Sequence, residues 1–245
     1  MARKYEGVIF DNDNTIAKIY PDPKTYWSDV FVKTVERCGG SVPKGKEEEY
    51  MLSYYTGRGF IEKLHTMGLK TTWDEFQKAK GVVDERERVE FIRTGKSRLF
   101  PDAVEIMRFL DSNGIKYGVA TFTTKTVVLA TFEQVPGLPL PQAFFDWNDS
   151  LKYQLEKPDP KIAQIVLEQL GVAPEKAMMI GDRLTDVQMG NMAGMTSVLV
   201  KRVEEDGDLV AQIEEEIEMA KADPETRFKI PALQVTDLTQ IEEIL

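Results

Sequence analysis

Short apolar runs alternating with amphipathic stretches of about ten residues constrain this chain more than any other feature. Tyr5–Phe10, Lys116–Ala120, Ala177–Ile180 and Thr196–Val200 read as buried strands, with shorter candidates at Phe144–Trp147 and, as an edge strand, Leu233–Thr236. Helical spacing covers Ala103–Ser112, Lys125–Gln134, Pro160–Leu170 and Asp186–Ala193, and Gly114, Gly171 and Gly194 supply stop signals. Strands that alternate with helices in this way imply an α/β fold with a parallel sheet covered on both faces. Right-handed crossovers then gather the carboxyl ends of the strands on one edge, where such sheets bind ligands. Asp11, Thr121 and Asp182 each follow directly on a strand, so three polar groups distant in sequence are expected to converge there. The acidic stretch Glu204–Lys221 reads as a solvated amphipathic helix, with Leu209, Ile213, Ile217 and Ala220 on one side, and a short helix is expected to end the chain at Leu245.

Between Asp22 and Arg98 the text is helical throughout, in segments Tyr26–Cys38, Glu47–Tyr55, Phe60–Met67, Trp73–Lys80 and Asp84–Thr94. The expected organisation is therefore a core built from residues 1–20 and 99–245, with an all-helical unit, 21–98, inserted into it. A length of 245 residues accommodates both. The net charge of −10 argues against nucleic acid or an anionic membrane as partner, and an anionic substrate would need a locally positive site. Cys38 is the only cysteine, so neither an internal disulfide nor a cysteine zinc site is available; its place on a stripe with Val30, Phe31 and Val35 suggests a structural thiol. No run approaches the roughly 18 apolar residues of a membrane span, and Gly7–Phe10 is too brief for a signal-peptide core, so the expected location is the cytoplasm.

Four local features carry chemistry. Asp11 and Asp13, one residue apart at the end of a buried strand, repel each other unless a cation compensates; the same Asp-Asn-Asp-Asn-Thr is equally a polar turn. Asp182 and Asp186 can face one point if a helix begins near Leu184, although Asp186 or Thr185 also suits a helix cap. Lys157 lies in the Pro-stiffened segment Glu156–Pro160, where a fixed ammonium can neutralise a phosphate, and the hydroxyl of Thr121 can donate to one. In the helical insertion, Arg58 between Gly57 and Gly59 is a candidate for substrate recognition or a solvated turn residue. His65, the sole histidine, has no second His or Cys to complete a site and reads as a helix-surface residue.

Taken in order, these features resemble the four motifs of the haloacid dehalogenase-like hydrolase superfamily: Asp11, Asp13 and Thr15 after the first strand, then Thr121, then Lys157 near proline, then Gly181-Asp182 with Asp186. The likeness extends through Asn191, Ala193-Gly194-Met195 and the strand beyond. It implies a Rossmann-like, doubly wound core carrying a mobile helical cap, and a phosphatase that acts on a small phosphorylated metabolite as a monomer or homodimer. Asp11 would be the nucleophile and Asp13 the general acid and base. Mg2+ would be held by Asp11, Asp182, Asp186 and the main-chain carbonyl of Asp13, with Thr121 and Lys157 on phosphate oxygens. Asn12 departs from the pattern, since many relatives carry a large apolar residue there. Asp13 disfavours carbon–halogen cleavage, whose family members lack that acid. A phosphomutase is the alternative within the family, as is a phosphonate hydrolase using Lys63 as its Schiff-base lysine. Outside it stand a phospho-receiver domain, whose motif order differs, and a non-catalytic binding protein, which intact acids argue against.

Overall fold

The computed structural model describes residues 4–18, 23–56 and 60–245. The chain divides into two compact units, Met1–Lys18 with Arg98–Leu245, and Ile19–Ser97.

The first unit is built on a six-stranded parallel sheet. In chain order the strands are β1 (Gly7–Phe10), β4 (Lys116–Ala120), β5 (Ala143–Phe145), β6 (Ala177–Gly181), β7 (Thr196–Val200) and β8 (Leu233–Val235). Two further strands, β2 (Ala17–Lys18) and β3 (Arg98–Leu99), form a separate antiparallel pair. The spatial order of the large sheet is β5-β4-β1-β6-β7-β8, which puts β1 in the interior between β4 and β6. Side chains alternate across a strand. Ile9, Ala120, Phe145 and Met179 pack with Ile162, Val166 and Leu170 from one helix, α8 (Pro160–Leu170). Val8, Phe10, Tyr117, Val119 and Ile180 point the other way and are equally buried. Both faces are covered, as the run-on apolar strands predict. The remaining helices of this unit are α5 (Pro101–Ser112), α6 (Lys125–Glu133), α7 (Trp147–Tyr153), α9 (Leu184–Met192) and α10 (Val203–Ala222). Helix α10 lays Ile213 and Ile217 against Leu199, Leu184 and Val187, and its residues Asp208, Glu214, Glu215, Glu216 and Glu218 are exposed, as the sequence pattern implies.

The second unit contains α1 (Pro23–Arg37), α2 (Glu47–Thr56), α3 (Phe60–Thr66) and α4 (Trp73–Arg93), with no strand among the described residues. Its core joins Phe31, Tyr54, Phe60, Leu64, Met67 and Phe76. Cys38 is half-buried against this core, and burial raises its thiol pKa. Beyond it, Asp84 accepts from the Tyr26 hydroxyl at 2.5 Å and from Arg88 Nε at 3.0 Å. His65 is exposed near the end of α3. Arg58 lies outside the described residues.

Several elements differ from the sequence reading. The expected helices Trp73–Lys80 and Asp84–Thr94 are one helix, α4, running through Gly81. A helical glycine costs about 1 kcal/mol, and burial of Phe76, Val83 and Ile92 on either side of it outweighs that. A capping box between Thr72 and Glu75 fixes its start. Strand β5 stops at Phe145, one residue before Asp146, which caps the unanticipated α7 by accepting from Asn148 N and Asp149 N at 2.9 and 3.1 Å. The last helix is a single 3-10 segment, Leu238–Ile241. Among the described residues no helix is long and apolar enough to cross a membrane.

Candidate active site

The register of β1 aligns Phe10 with Val119 of β4 and Ile180 of β6, so the residues that follow these strands share one edge of the sheet. Asp11 N donates to the Ile180 carbonyl at 2.8 Å and begins the departure from β1. The Asn12 carbonyl then accepts from the amides of Thr15, Ile16 and Ala17 at 3.3, 3.1 and 3.0 Å, closing a tight turn. Asn14 takes the left-handed conformation in that turn, φ 56°, which asparagine tolerates better than most residues. Within it, the buried Thr15 hydroxyl donates to Asp182 Oδ1 at 3.2 Å, linking the first acidic segment to the last.

Lys157 is the hub of the site. Its Nζ donates to Asp11 Oδ1 at 2.6 Å and to Asp186 Oδ1 at 2.7 Å, and all three side chains are buried. Asp186 lies in the first turn of α9, and its Oδ2 accepts from Arg183 N at 3.2 Å. The two readings of Asp186 are therefore compatible, since one carboxylate oxygen caps the helix and the other faces the lysine. Carboxylate oxygens of Asp11, Asp182 and Asp186 lie within 4.8 Å of one another.

That crowding has an electrostatic consequence. Burial holds the Asp11 carboxyl well above its ordinary pKa; Lys157 opposes this, while Asp186, Asp182 and Asp13 add to it. Burial, then repulsion from Asp186, pushes Asp182 up to about 7. For Lys157 burial favours the neutral amine, yet Asp11 and Asp186 outweigh it and raise its pKa. Three buried carboxylates thus share one buried ammonium. Arg183, whose Nε is 3.5 Å from Asp182, is half exposed and only partly offsets the rise at that carboxyl. This set is deficient in positive charge and offers only hard oxygen donors, which suits a divalent cation such as Mg2+.

Asp13 and Thr121 occupy the same edge. Asp13 Oδ1 accepts from Asn12 Nδ2 at 2.8 Å and from the Thr123 hydroxyl at 2.7 Å. Thr121 is buried at the end of β4, and its Oγ1 accepts from Thr123 N at 3.1 Å. Three groups missed by the sequence reading, Arg202, Asp102 and Thr123, support this frame. Arg202, just past β7, donates to the Thr15 carbonyl at 2.6 Å and to Asp102 Oδ2 at 2.7 Å, and Asp102 Oδ2 also accepts from Leu238 N at 2.8 Å. The only sequence signal for Arg202 and Asp102 was the position of Arg202 two residues past a strand. Thr123 was missed because its role depends on which way the loop after β4 turns.

Gly181, the last residue of β6, has no room for a side chain, because an added Cβ would lie 2.4 Å from the Cβ, Cγ and Oδ2 of Asp186. Gly181→Ala is expected to displace Asp186 from Lys157 and to lower stability by about 1–3 kcal/mol. Thermal melting, with a crystal structure of the variant to locate the carboxylate, checks this; an unmoved Asp186 at an unchanged melting temperature refutes it.

Comparison with known proteins gives the arrangement a family. The family described as haloacid dehalogenase-like hydrolase matches residues 5–194. A protein named glyceraldehyde 3-phosphate phosphatase from Methanopyrus kandleri is 33% identical over 104 residues, 42% of this chain and 43% of its own length. The phosphorylated carbohydrates phosphatase of Thermotoga maritima is 28% identical over 196 residues, 79% of this chain and 83% of that protein. Among solved structures, an HAD phosphatase from Thermococcus onnurineus superposes with a TM-score of 0.62 at 22% identity, covering 98% of this chain and 97% of its own, and so shares the fold. With a family match over most of its length and a parallel sheet that brings the acids of the first and last motifs around one lysine, this chain is an enzyme of the haloacid dehalogenase-like hydrolase family.

Proposed function

We propose that the chain is a magnesium-dependent phosphatase that hydrolyses a small phosphomonoester through an aspartyl-phosphate on Asp11. The observation that carries this reading is the buried Asp11 carboxylate, fixed at 2.6 Å by Lys157 beside Asp182 and Asp186. A carboxylate oriented by a lysine and ringed by cation-binding groups is suited to attack an electron-poor centre carrying negative charge.

In this scheme an Asp11 oxygen bonds to phosphorus as the bond from phosphorus to the substrate's bridging oxygen breaks, and Asp13 gives that oxygen a proton. Asp13 then takes a proton from water. The resulting hydroxide oxygen bonds to phosphorus, the phosphorus–Asp11 bond breaks, and inorganic phosphate leaves. Lys157 and the Thr121 hydroxyl bind phosphoryl oxygens, and Lys157 also neutralises Asp11. Asp11, Asp182, Asp186 and the main-chain carbonyl of Asp13 would hold Mg2+. When bound, Mg2+ neutralises charge on the transferring group and favours the ionised form of the surrounding carboxylates. We assign residues 21–98 the role of a cap that selects the substrate, with Arg58 as a contact to the leaving group, because the insertion falls between the first and second motifs. The Thermotoga relative, aligned over most of both chains, favours a phosphorylated carbohydrate as substrate.

Purified protein with Mg2+ and a panel of sugar phosphates is expected to release inorganic phosphate, and excess chelator is expected to stop it. Conversion of a sugar phosphate to its isomer without free phosphate would instead indicate a mutase, and no reaction with any ester would remove the proposal.

Metal and pH are expected to be linked through Asp182. Its folded-state pKa of about 7 is above the ordinary value of 3.8, so the metal-free folded protein binds more protons than the unfolded chain between those values. The contribution of Asp182 to stability therefore falls as pH rises from about 4 to 7. Melting temperatures of chelator-treated protein should show this decline; Mg2+ should offset it most at the alkaline end, and Asp182→Asn should flatten it. A metal-free profile identical in wild type and Asp182→Asn contradicts the assignment.

A further inference from the structure

The scheme above leaves one buried polar side chain without a task. Asn12 is wholly inaccessible to solvent, its Nδ2 donates to Asp13 Oδ1, and its own Oδ1 is buried with no hydrogen-bond partner. An amide half satisfied in the interior costs stability that an apolar side chain of similar size would not. The half that is satisfied points at a carboxylate proposed to move protons. The second donor to the same oxygen is the Thr123 hydroxyl, itself buried and delivered from the loop after β4.

We infer that Asn12 and Thr123 are positioning residues that clamp Oδ1 of Asp13 and so hold its carboxyl in place for proton transfer. This rests on the phosphatase reading above. Two donors from separate loops fix the orientation of the carboxylate, which one donor cannot do. Both donors have rigid backbones. The Asn12 carbonyl receives three amides of its own turn, and Thr123 gives its amide to Thr121 Oγ1 at 3.1 Å and receives Trp147 N at 3.4 Å. The Asp13 carboxyl proton passes to the bridging oxygen as its bond to phosphorus breaks. A proton from water returns to the Asp13 carboxylate as the water oxygen bonds to phosphorus and Asp11 is released.

The test uses Asn12→Leu, Thr123→Val, their combination, and Thr123→Ser, which keeps the hydroxyl. Loss of proton delivery weighs on an alkyl phosphate, whose leaving alcohol must be protonated, more than on a nitrophenyl phosphate, whose leaving group departs as an anion. Each single loss of a donor is expected to lower kcat for the alkyl ester by about tenfold, and the pair by about a hundredfold, since misplaced catalytic groups lose on that order. The nitrophenyl ester should lose several-fold less, Thr123→Ser should restore the wild-type ratio, and Asn12→Leu should melt no lower than wild type. Equal losses on both esters, or none on either, overturn the inference. A crystal structure of the double variant gives a readout that needs no turnover: Asp13 is expected in more than one rotamer, and a single unmoved Asp13 overturns the clamp. Wild-type protein that releases phosphate from neither ester would instead overturn the phosphatase reading, while the rotamer result still decides whether Asn12 and Thr123 hold Asp13.

Discussion

Asp11→Asn is expected to lower turnover by at least about a thousandfold, the scale on which removal of a nucleophile acts, while the variant folds and, without metal, melts above wild type. The two effects have one cause. Asp11 is buried among Asp13, Asp182 and Asp186, and its charged form is disfavoured in the fold despite Lys157. A neutral amide of the same shape removes that burden and leaves Lys157 paired with Asp186 at 2.7 Å. The sign follows from linkage: with a folded pKa raised above the unfolded one, the stability contributed by Asp11 falls as pH rises above about 4. The advantage of the asparagine variant should therefore appear near neutrality and vanish below about pH 4. Phosphate release and melting curves across that range measure both. A variant with wild-type turnover, or one that melts lower at pH 7 than at pH 4 relative to wild type, removes Asp11 from its assigned role.

The second large effect is expected at Lys157. Lys157→Met leaves Asp11 and Asp186 buried without their shared ammonium, and breaking a buried pair in this way costs about 3–5 kcal/mol. Activity should be lost as well, because nothing then orients Asp11 or neutralises it as phosphate approaches. The deficit should narrow on acidification, when the carboxylates take up protons and need no partner, and should narrow at neutral pH on adding Mg2+. Combined with Asp11→Asn, the two stability changes should not sum, since each variant removes part of one network. Simple additivity in that double-mutant cycle would show that the two side chains act independently.

Much of this site was legible in the sequence, for physical reasons specific to the residues. Strands β1, β4 and β6 are buried on both sides and therefore appear as apolar runs, and in a parallel sheet the residue that follows each run must lie on one edge. Asp11, Thr121 and Asp182 needed no more than that. Lys157 was found through the proline around it and by resemblance, and its burial and double contact were not legible. What escaped depended on side chains meeting across the fold. Two-residue strands such as β2 and β3 leave no periodic trace. Asp146 reads as the end of a strand until its cap bonds are seen. Gly81 looks like a break because the packing that overrides it comes from elsewhere. The pair of Arg202 and Asp102, a hundred residues apart, is visible only in three dimensions.

The interior position of β1 also bears on how this protein is made. The strand leaves the ribosome before both of its hydrogen-bonding partners, Lys116–Val119 on one flank and Ala177–Ile180 on the other. Until translation has passed those residues, Gly7–Phe10 is an apolar segment with two unpaired edges, and closing such distant pairings is slow. A nascent chain stalled between the two flanks would hold Asp11 on a half-built sheet. It would present a ready target for chaperones well before it could bind a substrate.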